Sequence, residues 1–438
     1  MGTAAIPPRA LTLHADIPLC QTDFPLDWYQ PEFRPYAEEF LALPDRRAET
    51  VVRWLDGYVR PAQEHFGDEL LLLAHFYMGG EIVKLVQRYG GAIADSYQLA
   101  LMARNHPEKK VIVESAVHFM AESIALLARE DQTVWITNPK AGCTMELLAK
   151  EHMVLPVADQ LRERYGKDLV VVAYMNTSGR VKALAGATGG AVCTSSNAPR
   201  VLAAALQGGR RVLFVPDHHL GRNTAHALGL SGDDLLQLPD PRRGAIRLAD
   251  VGLAALDRAR VILWGSQCGV HTIFTPEMVR YWQAQGYRVL IHPESPLEAV
   301  QAADGQGSTS YLWGELERAR PGAKLAIGTE GHFVRNAELE GRLKGVTVRH
   351  LADVPGFEQR GCGCATMSRN DPPHLAGMLD LLRRGRAPDI NRVLAGDVVE
   401  ETTMRRDRLG PEERAEVVRD ARLALERMIA IVESAQGS

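Results

Sequence analysis

Short apolar runs recur along the middle of the chain, each followed by a stretch whose apolar positions repeat at helical spacing. Runs of this near-continuous kind suit strands buried on both faces, so the pattern predicts parallel strands joined by helices. They fall into three sets of four. The first strands are LLLLAHFY (70–77), LVVVAYMNTS (169–178) and RVLIHPES (288–295). The second end in AIADSYQLA (92–100), AVCTSSNAP (191–199) and AADGQGSTSYL (302–312). The third are VIVESAVHFM (111–120), RVLFVPDHHLG (211–221) and KLAIGTEGHF (324–333), and the fourth TVWITNPKAGC (133–143), RVILWGSQCG (260–269) and VTVRHLADV (346–354).

The sets agree in register. After strand one come His75 and Tyr77, Tyr174 and Asn176, and His292 and Glu294; after strand two a hydroxyl is expected to open a helix, at Ser96, Ser195, and Ser308 with Thr309. Each fourth strand runs on to a cysteine: Cys143, Cys268 and, after a longer loop, Cys364. Alternating strands and helices are common to any α/β chain, but cysteines recurring after every fourth strand are not. The expected fold is therefore α/β, with three homologous α/β/α domains carrying small parallel sheets about a pseudo-threefold axis. The expected boundaries are an N-terminal extension over 1–65, repeats over 66–150, 151–285 and 286–375, and a helical C-terminal extension over 376–438. Repeat two carries an insertion near 227–257, read as a surface elaboration. Parallel units gather ligands at the carboxyl ends of their strands, so these polar residues and cysteines are expected to face one central cavity.

Composition narrows the function. The 438 residues carry 50 Lys+Arg against 54 Asp+Glu, which gives no electrostatic case for nucleic-acid or membrane-surface binding. No apolar run is long enough to span a bilayer, and Pro7, Pro8 and Asp16 interrupt the start where a signal peptide needs an apolar core, so a cytoplasmic protein is expected. The remaining cysteines are Cys20, Cys193 and Cys362, and no CxxC spacing is present. Three thiolates from three units leave one coordination position open. A catalytic zinc is one reading; a cubane iron–sulfur cluster with one unliganded iron fits better, because it is large enough to span three strand ends and takes thiolates as its usual ligands. No Walker or GxGxxG motif indicates a nucleotide cofactor.

The blocks AHFY, DSYQLA, ESAVHFMAES, NPKAGCTM, AYMNTS with VKAL, VCTSSNA, FVPDHHLGR, WGSQCGVH, HPES, ADGQGSTS, IGTEG and CATMSRN, in this order over about 66–375, resemble the quinolinate synthase family. The resemblance implies a 4Fe–4S cluster on Cys143, Cys268 and Cys364, with Cys362 two residues away as a competing ligand. It implies condensation of iminoaspartate with dihydroxyacetone phosphate to quinolinate in de novo NAD biosynthesis, with L-aspartate oxidase or an aspartate dehydrogenase as the source of iminoaspartate. Another 4Fe–4S hydro-lyase acting on a carboxylic acid and a non-enzymatic iron–sulfur sensor are the rival readings. Glu294, on a buried-type strand where desolvation would raise its pKa, is the candidate general base, with His271 and Tyr77 completing the catalytic set. His75, Ser96, Tyr174, Asn176, Ser195, His292, Ser308 and Thr309 are the candidate substrate-binding residues, the hydroxyls serving as anion sockets at helix starts. Lys182 is a weaker candidate for charge balance. Cys193 has no counterpart in the other repeats and is read as core filler.

Overall fold

A computed structural model describes residues 25–356, 364, 366–400 and 405–434, so Cys20 and Cys362 lie outside the described residues. Two helices, α1 (Arg34–Leu41) and α2 (Ala48–Phe66), precede the first set, which runs β1 (Leu70–His75), α3 (Gly80–Arg88), β2 (Ala92–Ala94), α4 (Ser96–Asn105), β3 (Val111–Ser115), α5 (His118–Leu127) and β4 (Thr133–Ile136). A short α6 (Thr144–Leu147) and α7 (Glu151–Tyr165) lead to β5 (Leu169–Tyr174), α8 (Gly179–Ala187), β6 (Ala191–Cys193), α9 (Ala198–Ala205), β7 (Arg211–Val215), α10 (His218–Ala227), β8 (Leu235–Gln237), α11 (Leu253–Arg258) and β9 (Val261–Leu263). The third set follows α12 (Pro276–Ala284) as β10 (Arg288–Ile291), α13 (Leu297–Ala302), β11 (Gly305–Gln306), α14 (Thr309–Arg318), β12 (Lys324–Gly328), α15 (Gly331–Leu343) and β13 (Thr347–His350). The chain ends with α16 (Pro372–Arg383), β14 (Arg392–Val393) and α17 (Pro411–Ser434). Each expected apolar run forms a strand, and the result is a mixed α/β fold with small, mostly parallel sheets flanked by helices.

The chain divides into two compact units. One comprises the described residues of Met1–Gly142, Trp313–Leu394 and Val399–Asp407; the other those of Cys143–Leu312, Ala395–Val398 and Arg408–Ser438. The first contains a sheet in the order β14-β4-β3-β1-β2, parallel except for β14, and the parallel pair β12–β13. The second contains a wholly parallel sheet, β6-β5-β7-β9-β8, and the pair β10–β11. Within each large sheet the repeat's strands follow the same order: second, first, third, fourth. One glycine shows why the sequence repeats with the structure. A Cβ on Gly91 would lie 2.3 Å from the Leu72 carbonyl oxygen, and one on Gly190 1.8 Å from that of Val171, so the turn into the second strand needs glycine in both sets.

The flanks are packed parts of the fold. Phe33 and Phe40 are buried, each worth roughly 1.5–3 kcal/mol by burial. Tyr36 donates its hydroxyl to Asp380 of α16 at 2.7 Å, and α1 and α2 both pack on α16. In the second unit α17 lies on α8, where Arg427 bonds the carbonyls of Gly186 (2.8 Å) and Gly190 (2.9 Å). The 227–257 stretch, expected as a surface elaboration, supplies β8, the edge strand that pairs in register with β9 (Leu235↔Val261). It buries Leu230, Leu238, Ile246, Leu248 and Leu256. Short length hid β8 in the sequence: three residues carry no readable period.

One core position breaks the apolar rule. Glu114 on β3 is fully buried, and its neighbours in register are Leu73 and Ile136, both members of the apolar cluster that also holds Ile112. Neither carboxylate oxygen has a hydrogen-bond partner among the described residues, and burial pushes the carboxyl well above its ordinary range. The corresponding positions, three residues before the residue that caps the next helix, are Phe214 and Ile327 in the other sets. Above the unfolded carboxylate value the unfolded chain ionises while the folded one keeps its proton, so this group makes stability fall as pH rises. Glu114→Leu is expected to raise stability by roughly 1–3 kcal/mol at neutral pH, with a gain that grows as pH rises. Denaturant melts of both proteins across the acid-to-neutral range check it; a gain that shrinks with rising pH would refute the assignment.

Candidate active site

In the second unit, strand ends deliver a buried acid–imidazole group. Tyr174 closes β5, Asp217 follows β7, Cys268 and His271 lie on the loop after β9, and His292 and Glu294 follow β10. Glu294 is 3 % exposed. Its Oε1 accepts the Tyr174 hydroxyl at 2.5 Å, and its Oε2 lies 2.8 Å from His271 Nδ1. The same nitrogen is 3.2 Å from Cys268 Sγ, and the His271 and His292 rings stack with centroids 4.4 Å apart.

The charge state differs from the sequence expectation. Burial pushes the Glu294 carboxyl up, but the imidazoles of His271 and His292, with the hydrogen bonds from His271 and Tyr174, outweigh it and hold the group below its ordinary range. Desolvation was the whole of the argument from sequence; the neighbouring imidazoles, contributed by different loops, reverse its sign. Asp217 goes the other way: burial and the charge of Glu294 push its carboxyl up, against the backbone N–H groups of Leu220, Cys268 and His219.

Asp217 is a residue the sequence reading missed. It caps α10, with Oδ1 accepting from Leu220 N at 2.7 Å, while Oδ2 accepts from Cys268 N at 2.8 Å. The first unit repeats the device. Glu330 caps α15 with Oε2 accepting from Phe333 N at 3.0 Å, and its Oε1 accepts from Cys364 N at 3.0 Å and contacts His332 Nδ1 at 2.8 Å. Burial pushes Glu330 up, and His332 together with those N–H groups brings it below its usual range. In the first repeat the capping position is Val117, so no acid stands there. The available signal was an acid opening the helix after the third strand, in VPDHH and GTEGH.

The other expected residues divide between the units. In the second, Asn176 donates its amide to Cys143 Sγ at 3.7 Å. Ser195 and Ser308 line a cleft of about 360 Å³ with Ser196, Asn223 and Tyr311, and Thr309 is the first residue of α14. Ser195 does not open a helix as expected: it sits in a turn closed by Asn197, whose Oδ1 accepts from Thr194 N at 2.7 Å, and Pro199 near the helix start fixes α9 to begin at Ala198. Lys182 is buried, with Nζ bonding the Thr177 carbonyl. In the first unit, the Tyr77 and His75 rings meet edge to face at 4.6 Å and the Tyr77 hydroxyl lies 3.1 Å from Thr329 Oγ1. Ser96 is the first residue of α4, but Asp95 is the cap, accepting from Gln98 N at 3.0 Å. The segment after Cys364 is tied to the loop after β4: Thr137 bonds Asn370 (2.8 Å), Asn138 bonds the Arg369 carbonyl (2.7 Å), and Arg369 bonds that of Lys140 (2.7 Å).

The thiols fit a thiolate-bound metal group. Cys143 and Cys364 are half-buried and Cys268 is 9 % exposed, all outside disulfides and all on loops beyond the strands. Cys193, by contrast, is fully buried at the end of β6, and burial pushes its thiol far up.

Parallel α/β sheets with buried acids, imidazoles and disulfide-free thiols at their strand ends define a class of α/β proteins built for chemistry at those ends. A sequence model of the family described as quinolinate synthetase A protein matches residues 59–405. The chain belongs to that family. It is 37 % identical over 380 residues to a quinolinate synthase from Corynebacterium glutamicum, covering 86 % of this chain and 87 % of that one. It is also 38 % identical over 378 residues to one from Streptomyces coelicolor, covering 85 % and 87 %. With one from Geobacillus kaustophilus it shares 36 % over 358 residues, covering 81 % and 92 %. No helix among the described residues is long and apolar enough to cross a membrane.

Asp217→Ala removes a helix cap and leaves the buried Cys268 N–H without its acceptor. An expected loss of roughly 2–4 kcal/mol follows from a cap worth about 1 and an orphaned donor worth about 1–3. Asp217→Asn is expected to lose part of this, because its side chain has one accepting oxygen for two N–H groups. Denaturant unfolding of both variants checks the order; equal stability of all three proteins would remove the positioning role.

Proposed function

We propose that this chain is a quinolinate synthase that condenses iminoaspartate with dihydroxyacetone phosphate in NAD biosynthesis, holding a 4Fe–4S cluster on Cys143, Cys268 and Cys364. The observation that carries the proposal is the buried Tyr174–Glu294–His271 arrangement beside Cys268 in a member of this family. When bound, the cluster supplies an open iron as a Lewis acid toward a substrate oxygen or nitrogen.

The protein's own groups supply the rest. Glu294 Oε2 and His271 Nδ1 lie 2.8 Å apart, within hydrogen-bond reach, and Tyr174 fixes the carboxylate by holding Oε1. A proton taken from substrate carbon can pass to this pair, and the pair can return one to a departing hydroxyl, because the charge stays within one hydrogen-bonded group. His292, stacked on His271, keeps the imidazole plane aligned. The hydroxyls of Ser195 and Ser308 and the start of α14 at Thr309 suit a phosphate or carboxylate, since helix N-termini favour anions. His75, Tyr77, Ser96 and Asn176 provide neutral donors that orient carboxylates without neutralising the base. The reaction fits the cytoplasm, with L-aspartate oxidase or an aspartate dehydrogenase supplying iminoaspartate.

Anaerobically purified protein is expected to contain about four irons per chain. Cys143→Ala, Cys268→Ala and Cys364→Ala should each lose the cluster while Cys193→Ala keeps it. Quinolinate should form from dihydroxyacetone phosphate and freshly made iminoaspartate; a full cluster without quinolinate would move the assignment to a hydro-lyase or a sensor. Glu294→Gln should retain iron and sulfide while turnover falls roughly 10²–10⁴-fold. Undiminished turnover would remove Glu294 as the base.

A further inference from the structure

Three ligand-type side chains in the second unit already stand where one metal ion would draw them together. The Cys268 thiol, an imidazole nitrogen of His271 and a carboxylate oxygen of Glu294 lie within 4.8 Å of one another. His271 Nδ1 is 3.2 Å from the sulfur and 2.8 Å from Oε2. Around a tetrahedral zinc, with bonds of about 2.0–2.3 Å, neighbouring ligand atoms are about 3.3–3.7 Å apart, so His271 Nδ1 would draw back by several tenths of an ångström while the sulfur and the carboxylate oxygen, within 4.8 Å of each other, would close by up to about 1 Å. We propose that the cluster-free chain binds a single zinc-type dication on Cys268, His271 and Glu294, with a fourth position open.

The surroundings favour this ion. The sulfur and the carboxylate, both ionised as ligands, bring two negative charges into a site whose residues are 9 %, 1 % and 3 % exposed. A dication neutralises both at once, which a monovalent ion does not, and burying unpaired charge is costly. Mixed sulfur, nitrogen and oxygen donors suit zinc, cobalt or ferrous iron, whereas magnesium and calcium prefer oxygen alone. Supporting contacts orient the ligands: Tyr174 occupies Oε1 and leaves Oε2 for the metal, and Asp217 holds the Cys268 backbone. The ligand set differs from the three-cysteine set in which Cys268 also serves. The two occupancies therefore exclude each other; that exclusion rests on the cluster reading above, while the single-ion site does not.

The test is a titration of the full chain, stripped of iron by a chelator, with cobalt(II) alone and then with zinc as competitor. One cobalt per chain is expected, with a thiolate charge-transfer band and the intense visible bands of a tetrahedral ion, all lost on adding zinc. Cys268→Ala should abolish the charge-transfer band and Glu294→Gln should weaken binding at least tenfold, while Cys143→Ala and Cys364→Ala leave both unchanged. In the unmutated chain zinc should slow alkylation of Cys268 at least tenfold and leave Cys364 unprotected, which guards against a variant that fails to fold. Absence of a thiolate band, or equal loss in Cys143→Ala and Cys364→Ala, would overturn the proposal. A cobalt site that forms in a chain that never assembles four irons would instead overturn the cluster reading and leave this one standing.

Discussion

A carboxylate has to stay charged where almost no water reaches it, and the candidate active site is built around that demand. Glu294 meets it through one hydroxyl and two imidazoles, and of these only the stacked His292 lies on its own loop after β10. Parallel sheets make this arrangement available, because every strand releases its next residues at the same edge. Tyr174, Asp217 and Cys268 reach that edge from β5, β7 and β9 of one sheet, and Glu294 follows β10, which pairs with β11 in another. A buried carboxylate whose supporting hydroxyl and imidazoles come from the end of β5, the loop after β9 and its own loop after β10 is strongly dependent on the correct tertiary structure, since losing any one of these segments leaves a charge or donor uncompensated.

The same economy governs how cysteines are held. Two ligand-candidate cysteines present their backbone N–H to an acid that also caps a helix, so one carboxylate fixes both the start of α10 and the Cys268 loop, and another both the start of α15 and Cys364. Using one side chain for two backbone donors couples the position of the loop to the rigid helix behind it. Backbone geometry is conserved between repeats one and two as well: the first helical N–H donates to the carbonyl two residues before the cysteine, His118 to Ala141 and His218 to Ser266.

The strands, the parallel topology and the side chains at the strand ends were legible because each leaves a local mark: a buried run, a polar pair, a cysteine at a repeated offset. What was lost is non-local. The sign of the Glu294 shift depends on His271, which is 23 residues earlier in the chain and on another loop. Ser195 looked like a helix start because its neighbours match Ser96 in spacing, yet Pro199 and the Asn197 side chain set the start three residues later. The role of β8 could not be read at all, because an edge strand of three residues is defined by its partner β9 and not by its own pattern. Asp217 and Glu330 carried a signal that was overlooked: acids at a helix start are ordinary caps, and only the second bond, to a cysteine N–H, distinguishes them.

The first repeat departs from this rule in a way that has a physical consequence. Val117 replaces the capping acid, and Glu114, three residues before it, places a carboxyl in the apolar core where the other sets have Phe214 and Ile327. Cys143 therefore has no capping acid in its own repeat to hold its loop; it receives an amide donor on the sulfur itself, from Asn176 of the second repeat. A bond to a thiolate's sulfur changes the electron density there, whereas a bond to the backbone N–H fixes position alone. All three candidate sulfurs have a side-chain contact, Cys143 with Asn176, Cys268 with His271 and Cys364 with Thr366, but among the described residues the capping-acid bond to the backbone N–H is found at Cys268 and Cys364, so the threefold repetition of sequence gives three ligands of unequal support.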